Sequence, residues 1–579
     1  MKTMNKNILD RLILIVLFLG IVTLFFEHGA SPDPHVRLFI NIVDYAIIIL
    51  FITETVLRFV AAPRKLNFLR FNLFSLLLLT VLVTLFILNK ITSFRVAHGN
   101  LTVVSTNIII LRNAFVALKI LGRIKRLNYF IKSITTHPAQ TIVTSFFIII
   151  VVGGILLMLP FASNGELHAM EALFTSTSAV CVTGLIVVDT ATKFTVYGQI
   201  IIMILIQIGG LGIMILSYFG AFVVGKRISL EEKLAMSYLL NEQDLHKISE
   251  SIAKIIIITF AIEIIGAIFL FNEFSDLFGF TAQTLLFSAF HAVSAFCNAG
   301  FALFTNSLEN FQSSTPMNMI ICLLIILGGI SFPVIFNLIE IVISRVRNMF
   351  RKRVRGAKLN LNAKAVLIMT GILILGGTLL IYGFEHGSIL LTKDLKTQYL
   401  NAFFQSVTLR TAGFNTINLA KLHINTLLIM MLFMFIGGAS GSTAGGIKVN
   451  TFTVIYAYLY SIFRGRENTT LMNHSISKDL VNKSFFIVIL AIIAVFMGAL
   501  ILSISENFAF EEILFEVVSA FGTVGLSLGI TGALSGAGKI VIIILMFIGR
   551  IGPLTLIVAL SRKQSKLQIR YPEGNVLIG

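Results

Sequence analysis

Charged residues are scarce in this chain, and their scarcity excludes an ordinary soluble protein. They make up 12% of the 579 residues, whereas soluble domains carry about a quarter. Hydrophobic residues make up 56%. Because a transmembrane helix needs about 20 predominantly apolar residues, this composition predicts an integral membrane protein with room for a dozen spans.

Cysteine and the common catalytic motifs are also missing or rare. The three cysteines are Cys181, Cys297 and Cys322, and no Cys-x-x-Cys pair is present, which argues against a disulfide scaffold and against structural zinc. The predicted spans contain no His-Glu-x-x-His motif and no paired aspartates. We therefore do not expect an enzyme, and we expect no tightly bound cofactor in this chain.

Long apolar runs predict twelve membrane spans. They lie near residues 8–26, 37–61, 71–89, 101–121, 140–160, 199–224, 252–271, 317–343, 363–383, 424–461, 484–504 and 538–560. Basic residues concentrate in alternate connections, for example within residues 345–358, and acidic residues such as Asp189 lie in the others. By the positive-inside rule, both termini are expected in the cytoplasm of a multi-pass plasma-membrane protein.

The formal net charge of +18 follows from these basic inner connections and the basic tail. In a soluble protein such an excess would suggest nucleic-acid binding. Here topology explains it, so the expected partner is the lipid bilayer and no nucleic acid is expected.

The outward connections after residue 140 repeat one pattern four times. Each contains an apolar stretch too short to span a membrane, followed by a loop that ends in Gly184, Gly300, Gly413 or Gly525. This spacing predicts four units of helix, half-helix, glycine loop and helix. Their approximate bounds are 140–250, 251–358, 359–480 and 481–579.

Such loops have a specific physical use. Irregular backbone at membrane depth is tolerated only where it is buried in protein or lines a water-filled cavity. Glycine permits the conformations that turn successive carbonyls inward, and a carbonyl ring can replace the hydration shell of a monovalent cation. The predicted selectivity-filter residues are Val182, Thr183, Gly184, Asn298, Ala299, Gly300, Thr411, Ala412, Gly413, Thr523, Val524 and Gly525.

Three other residues near these loops carry smaller expectations. Arg410 is expected to pair with a carboxylate such as Glu516, or else to form a salt bridge on the outer surface. His291 lies inside a predicted half-helix. A lone histidine there is expected to be a packed, hydrogen-bonded residue rather than a ligand.

The loops resemble those of the membrane subunit of bacterial Ktr/Trk potassium-uptake systems. The matching phrases, within about residues 140–579, are Cys181-Val-Thr-Gly-Leu, Asn298-Ala-Gly-Phe, Arg410-Thr-Ala-Gly-Phe and Gly522-Thr-Val-Gly-Leu. The tail, residues 570–579, resembles the C-terminus of the Ktr branch. The resemblance implies an all-α polytopic membrane protein with four pseudo-symmetric repeats around one pore.

The same resemblance implies the transported ion and the partners. K+ would bind at Gly184, Gly300, Gly413 and Gly525. The subunit would form a homodimer controlled by a cytoplasmic ring of nucleotide-binding regulatory subunits, with the nucleotide on that partner. Physical reasoning from the sequence does not decide whether K+ or Na+ is preferred, because selectivity depends on the carbonyl geometry.

A glycine-rich segment in the predicted span 424–461 resembles the family's gating loop. Its residues are Gly437, Gly438, Ser440, Gly441, Ser442, Thr443, Gly445, Gly446 and Lys448. Each glycine costs about 1 kcal/mol relative to alanine in a helix, so we expect a mobile plug. A small-residue surface for close helix packing is the alternative.

Arg550 lies in the middle of the last predicted span, where an ionisable side chain is costly and usually faces a cavity or a partner. The matching arginine of the family lines the pore below the filter and contacts the gating loop. The alternative is a structural role, in which Arg550 bonds the carbonyls freed near Pro553.

Residues 1–135 resemble a voltage-sensor-like four-helix module, and residues 136–579 would form the pore domain. The residues that carry this resemblance are Phe51, Glu54, Arg58, Arg112, Lys119, Arg123 and Arg126. Phe115 and Leu118 interrupt the expected series of basic residues. An accessory role and a real voltage response both remain open.

The leading hypothesis is a potassium-translocating subunit. One alternative is an autonomous voltage-responsive cation channel, which the leading module favours. Another is a sodium-coupled cation transporter, which needs ionisable residues deep in the core helices. Glu263 and Glu340 are the candidates for such a role, and both are expected near helix ends or in packing positions.

Overall fold

The computed structural model describes residues 138–212, 248–350, 357–391 and 393–560. The predicted four-helix module of residues 1–135 lies outside the described residues, and so does the tail 570–579. The described chain is helical except for short connections and one two-stranded antiparallel hairpin, β1 (Thr470–Leu471) and β2 (His474–Ser475).

Four repeats follow one another, and each contains a long first helix, a half-helix and a second helix. Repeat 1 has an additional short α-helix before its second helix, and in repeats 2 to 4 a further helix follows the second one. Repeat 1 comprises α1 (Pro138–Leu157), α2 (Ala169–Val180), α3 (Thr190–Lys193) and α4 (Val196–Leu211). Repeat 2 comprises α5 (Ile248–Phe278), α6 (Ala282–Phe296), α7 (Thr315–Gly329) and α8 (Phe332–Phe350). Repeat 3 comprises α9 (Leu361–Glu385), α10 (Leu395–Thr408), α11 (Ile424–Phe435) and α12 (Val449–Phe463). Repeat 4 comprises α13 (Lys478–Ser505), α14 (Phe510–Gly522), α15 (Gly536–Ile551) and α16 (Pro553–Leu560).

The second element of each repeat is a half-helix, namely α2, α6, α10 or α14. These helices have 12, 15, 14 and 13 residues, so at about 1.5 Å per residue they are shorter than the bilayer core. Their residues are largely buried. Phe174, Phe290, Phe404 and Phe515 on these helices are fully buried, and the packing core of the protein surrounds them.

The first helix of each repeat faces the lipid. Helices α1, α5, α9 and α13 are long and apolar enough to cross a membrane. They expose large apolar side chains, including Phe147, Phe260, Leu379 and Phe496. An apolar exterior around a buried core of short helices is the arrangement expected in a bilayer, and it confirms the prediction of an all-α polytopic membrane protein.

Two predicted spans prove to be broken helices. The run 317–343 divides into α7 and α8, which are bent by 105°, and the run 538–560 divides into α15 and α16, bent by 93°. The breaks occur at Ser331 and Gly552, whose φ angles are 76° and 89°. Hydropathy alone did not predict these breaks, because apolar residues continue on both sides of them.

A second fourfold pattern underlies these breaks, and the sequence analysis did not identify it. A glycine lies near the end of each second helix: Gly209, Gly328 and Gly549 lie within it, and Gly437 lies two residues after it. The chain adopts a positive φ three or four residues later. The residues with positive φ are Gly212, Ser331, Gly441 and Gly552. The signal that could have found the pattern is the recurring phrase Gly-Gly-x-Gly and its close variants.

Close packing under the half-helices explains these glycines. A Cβ atom added at Gly209, Gly328 or Gly549 would overlap the carbonyl oxygen of Val180, Phe296 or Phe521 respectively. Each of these carbonyls lies at the C-terminal end of a half-helix. The second helix therefore crosses directly against the half-helix end, at a distance that only glycine allows.

We expect Gly209→Ala to destabilise the folded protein, because its new Cβ atom cannot avoid the Val180 carbonyl. Overpacking of this kind costs about 1–3 kcal/mol, which thermal unfolding of the detergent-solubilised protein would detect. The matched control is Gly376→Ala on α9, where nothing lies within 4 Å of the new atom. Equal melting temperatures for the two variants would contradict this account.

Candidate ion pathway

The chain after each half-helix takes the same unusual conformation. The residue two positions before the glycine has a positive φ: 56° at Val182, 58° at Asn298, 70° at Thr411 and 50° at Thr523. The glycines themselves have φ angles of 92° at Gly184, 70° at Gly300, 81° at Gly413 and 90° at Gly525. Positive φ is rare for valine and threonine, and such strain persists only where the surroundings impose it. We call these four segments, residues 182–184, 298–300, 411–413 and 523–525, the glycine loops.

Hydrogen bonds to the last turn of the half-helix hold all four of these loops in place. In repeat 1 the Thr183 amide donates to the Ser178 carbonyl at 2.8 Å, and the Gly184 amide donates to Ser178 Oγ at 3.0 Å. Repeat 4 forms the equivalent bond from the Gly525 amide to Ser519 Oγ at 3.1 Å. The half-helix therefore determines where each glycine lies.

The four glycine loops form a closed ring. A Cβ atom added at Gly184 would lie 2.5 Å from the Ala299 carbonyl oxygen, and one added at Gly300 would lie 2.7 Å from that of Ala412. A Cβ added at Gly413 would lie 2.6 Å from the Val524 carbonyl oxygen, and one at Gly525 would overlap that of Thr183. Each glycine thus meets the backbone of the next repeat, and the last meets the first.

All twelve predicted filter residues lie in this ring. The eight that are not glycine are 0–1% exposed. The side-chain hydroxyls of Thr183, Thr411 and Thr523 have no hydrogen-bond partner among the described residues. The ring therefore gathers backbone carbonyls from four repeats and hydroxyl oxygens from three of them at one place.

A cavity of about 440 Å³ opens onto one side of the ring, and all four glycines line it. Its charged lining residues are Asp189 and Glu309. Asp189 accepts from the Ala191 amide at 2.7 Å. Glu309 Oε1 accepts from Asn415 Nδ2 at 2.9 Å, so a carboxylate is tied to the segment that follows Gly413.

Partial burial raises the pKa of the Glu309 carboxyl above its ordinary value. The hydrogen bond from Asn415 and the charge of Lys421 lower that pKa and offset part of the effect. Glu309 therefore takes up a proton at a higher pH than an ordinary glutamate does. The negative charge of the cavity decreases accordingly as the pH falls.

A loop of residues 436–448, which we call the central loop, separates α11 from α12 and lies on the other side of the ring. Thr443 Oγ1 donates to the Phe296 carbonyl at 3.1 Å and to that of Gly328 at 3.0 Å. A Cβ atom at Gly445 would overlap Thr523 Oγ1. The loop thus contacts the half-helix ends of repeats 2 and 4.

The remaining members of the central loop occupy different surroundings. Gly437 lies against the Gly445 carbonyl. A Cβ atom added at Gly446 would lie 3.2 Å from the Gly522 carbonyl oxygen. Lys448 folds back and donates to the Ala444 carbonyl. Exposed residues Ser440 and Gly441 lie at the far end of the loop. The Gly438 carbonyl accepts from the Val449 amide, and the Ser442 hydroxyl has no partner among the described residues.

Arg550 joins three elements beneath the ring. Its guanidinium donates to the Thr443 carbonyl of the central loop and to the carbonyls of Gly209 and Gly210 at the end of α4. These partners differ from the carbonyls near Pro553 that the structural alternative proposed. Arg550 follows Gly549, whereas a second glycine follows Gly209, Gly328 and Gly437. Within the described chain, repeat 4 alone therefore has a charged residue at this position.

The predicted pairing of Arg410 with Glu516 is wrong, and so is the alternative of a surface salt bridge. Arg410 is 5% exposed, and its Nη2 donates to the Gly437 carbonyl at 3.4 Å. Glu516 instead accepts from Ser527 and from Thr531 Oγ1. The partner of Arg410 is a backbone carbonyl of the central loop, and the distance along the sequence gives no indication of this contact.

His291 is packed and hydrogen-bonded, as predicted. Its Nδ1 lies 2.7 Å from the Phe287 carbonyl oxygen, and its Nε2 accepts from the Leu303 amide at 3.3 Å. Within the described ranges, no group of three His, Cys, Asp or Glu residues could hold a metal ion.

The two carboxylates considered for ion coupling differ in their surroundings. Glu263 lies in the middle of α5, is 4% exposed and has Cys297 Sγ at 3.8 Å. It therefore packs behind a glycine loop and not near a helix end. Glu340 is exposed on α8.

These helices and loops define a polytopic, all-helical membrane protein built from four related units. The sequence profile of a family described as TrkH, a cation transport protein, matches residues 104–568. The chain therefore belongs to the TrkH family of cation transport proteins, which are transporters and not enzymes. Residues 1–103 lie outside this match.

Individual relatives agree with this assignment. The chain is 37% identical to the Ktr system potassium uptake protein B of Bacillus subtilis, over 78% of this chain and 98% of that protein. It is 38% identical to the potassium/sodium uptake protein NtpJ of Enterococcus hirae, over 76% and 97% respectively. The crystal structure of the potassium transporter TrkH from Vibrio parahaemolyticus covers 85% of this chain, with a TM-score of 0.60 and 18% identity. At that identity the structural match supports the fold.

We expect cation uptake by this chain to weaken as the pH on the cavity side of the ring falls through the raised pKa of Glu309. One unit charge about 8 Å away in water changes the energy of a cation by roughly 0.5 kcal/mol, so Glu309→Gln should raise the half-saturating concentration about two- to threefold. The variant should also lose most of the pH dependence. Uptake kinetics measured between pH 4.5 and 8 would check both effects.

The control for this prediction is Asp276→Asn, which removes an exposed carboxylate at the end of α5. Asp276 does not line the cavity. Equal shifts for Glu309→Gln and Asp276→Asn would contradict a local effect in the cavity.

Proposed function

We propose that this chain is the potassium-translocating membrane subunit of a Ktr/Trk-type uptake system. The observation that carries the proposal is the closed ring of Gly184, Gly300, Gly413 and Gly525 at the floor of an acidic cavity. The names of the relatives from Bacillus subtilis and Enterococcus hirae support potassium as the ion.

In this proposal the glycine loops form the selectivity filter. A K+ ion loses its hydration shell at the cavity floor, and carbonyl oxygens of the four loops replace the lost water. The unpartnered hydroxyls of Thr183, Thr411 and Thr523 supply further oxygen. Each half-helix also directs its C-terminal end toward its loop, which adds partial negative charge near the ion.

The central loop and Arg550 form the gate in this proposal. Both lie beneath the ring, and the guanidinium would repel a cation that leaves the filter. The bonds from Arg550 to Thr443 and Gly209 hold the loop in place. Conduction then requires that the central loop move and that the guanidinium turn away.

We further propose the assembly and orientation that the family resemblance implies. The subunit forms a homodimer in the plasma membrane of a bacterium, with both termini in the cytoplasm. A cytoplasmic ring of nucleotide-binding subunits docks on the basic inner connections and controls the gate. The module of residues 1–135, which lies outside the described residues, is an accessory or voltage-responsive addition.

Transport that also involves sodium is a second candidate. The name of the Enterococcus hirae relative includes sodium, and the buried Glu263 is a carboxylate next to a glycine loop. Potassium uptake measured with and without external sodium distinguishes the two candidates. Loss of a sodium requirement in Glu263→Gln would favour the second.

We expect Gly525→Ala to reduce potassium uptake more than about tenfold in cells that lack their own uptake systems, because its Cβ atom enters the carbonyl ring. Uptake would be measured with and without a coexpressed cytoplasmic regulator. The control is Gly279→Ala, which has a similar φ of 73° but nothing within 4 Å of the new atom. Absence of uptake by the unaltered chain in both settings, despite membrane expression, would overturn the proposed function.

We expect Arg550→Gln to raise potassium flux roughly threefold or more in proteoliposomes without a regulator, because the charge beneath the ring is removed. Arg550→Lys retains the charge and should keep the flux low. Flux and gating unchanged in Arg550→Gln would exclude a gating role for this residue.

A further inference from the structure

Three of the four half-helices fix their glycine loop with a serine hydroxyl. Ser178 Oγ accepts from the Gly184 amide at 3.0 Å, and Ser519 Oγ accepts from the Gly525 amide at 3.1 Å. Ser294 Oγ donates to the Phe301 carbonyl at 2.7 Å. Each serine lies six residues before its glycine.

The third half-helix has one residue fewer before its glycine. The Ala412 amide donates to the Thr408 carbonyl, four residues back, whereas the Thr183 amide donates to Ser178, five residues back. A second pair of bonds gives the same register: Ser406 Oγ donates to the Ile374 carbonyl of α9, and Ser176 Oγ donates to the Ile150 carbonyl of α1. Thr408 is therefore the structural equivalent of Ser178.

In this register Gln405 is equivalent to Thr175, His291 and Glu516. Two of these residues hold the segment that follows the glycine. His291 Nε2 accepts from the Leu303 amide, and Glu516 accepts from Ser527 and Thr531. A side chain at the position of Gln405 can therefore hydrogen-bond the segment that follows the glycine.

The third repeat makes none of these bonds among the described residues. Asn401, Gln405 and Thr408 are fully buried, and their side-chain polar atoms have no partner there, including both ends of each amide. Their spacing of four and three residues places them on one face of α10. Thr416, three residues after Gly413, is likewise buried with an unpartnered hydroxyl.

The buried amides and hydroxyls of this cluster determine which ligand can satisfy them. Buried amides and hydroxyls are almost always hydrogen-bonded, to protein or to ordered water. A cation would satisfy the amide oxygens and leave the amide hydrogens without acceptors. Water satisfies both, because it donates and accepts.

We propose that a pocket of ordered water behind the third glycine loop bridges Asn401, Gln405 and Thr408 to the segment after Gly413. The functional part of this inference rests on the proposed filter role of that loop. Water bridges adjust more readily than direct bonds, so the third loop is compliant on the side that faces α10, while Asn415 bonds Ser307 and Glu309 directly on the cavity side. Arg410, directly before the third glycine loop, also bonds the central loop at Gly437. Movement of the central loop is therefore transmitted to the third glycine loop through this bond.

Two structural measurements on the unaltered full chain, one in lipid nanodiscs and one in crystals, test the pocket. A high-resolution electron cryomicroscopy map is expected to show discrete water density within hydrogen-bond distance of the Asn401 and Gln405 amides. An anomalous-diffraction experiment on crystals with Tl+ is expected to show no peak there. A dry, closed contact or a Tl+ peak at these amides would overturn the proposal.

Substitutions test the consequence. We expect the nearly isosteric pair Asn401→Leu and Gln405→Met to lower the melting temperature and to reduce the K+ to Na+ flux ratio roughly threefold or more, since water bridges are lost. In a dry site, removal of unsatisfied polar groups would instead raise the melting temperature. That result with an unchanged flux ratio would overturn the proposal.

Control variants separate the pocket from general damage. Gln398→Met on the same helix breaks a bond to the Lys393 carbonyl and should leave the flux ratio unchanged. If the pair does not fold, Thr408→Val against Thr408→Ser tests the same site, and equal flux ratios for these two would count against the proposal. Water density without potassium uptake by the unaltered chain would refute the filter role and leave the pocket standing.

Discussion

The contact between backbone carbonyls and glycine is the constraint on which this structure depends. A half-helix that ends inside a membrane protein leaves carbonyls without intrahelical partners, and lipid cannot satisfy them. In repeats 1, 2 and 4 the protein brings a second helix against these ends, and Gly209, Gly328 and Gly549 allow the approach. The same use of glycine closes the ring between repeats, where Gly525 meets the Thr183 carbonyl. Glycine, which has no side chain, therefore allows both the contacts at the half-helix ends and the contacts between neighbouring glycine loops.

Much of this arrangement could be predicted from the sequence, because short apolar stretches and glycines leave local signals. The half-helices, the four glycine loops and the interruption of the run 424–461 carry such signals. The breaks at Ser331 and Gly552 carry a weaker signal, the phrase Gly-Gly-x-Gly and its variants, because apolar residues continue through them and Ser331 is not a typical residue for positive φ. The partner of Arg410 was also beyond prediction, because Glu516 and Gly437 were both available and only folding chooses between them.

The four repeats share a backbone but differ in side chains. Ser178 and Ser519 bind their glycine amides directly, whereas Thr408 has no such bond among the described residues. Arg550 replaces the second glycine of the other repeats, and the central loop interrupts the second helix of repeat 3. Fourfold geometry provides the ring, and departures from it concentrate where the ring meets Arg550 and the central loop.

The position of Arg550 has a consequence for how such a protein can evolve. In a pore assembled from four identical subunits, a charge introduced in one copy enters all four, and four guanidinium groups would crowd one axis. Because one chain carries all four repeats, a single codon adds one charge to one side. Gene duplication thus allows the four repeats to be altered separately, and one repeat can acquire a charge that the other three lack.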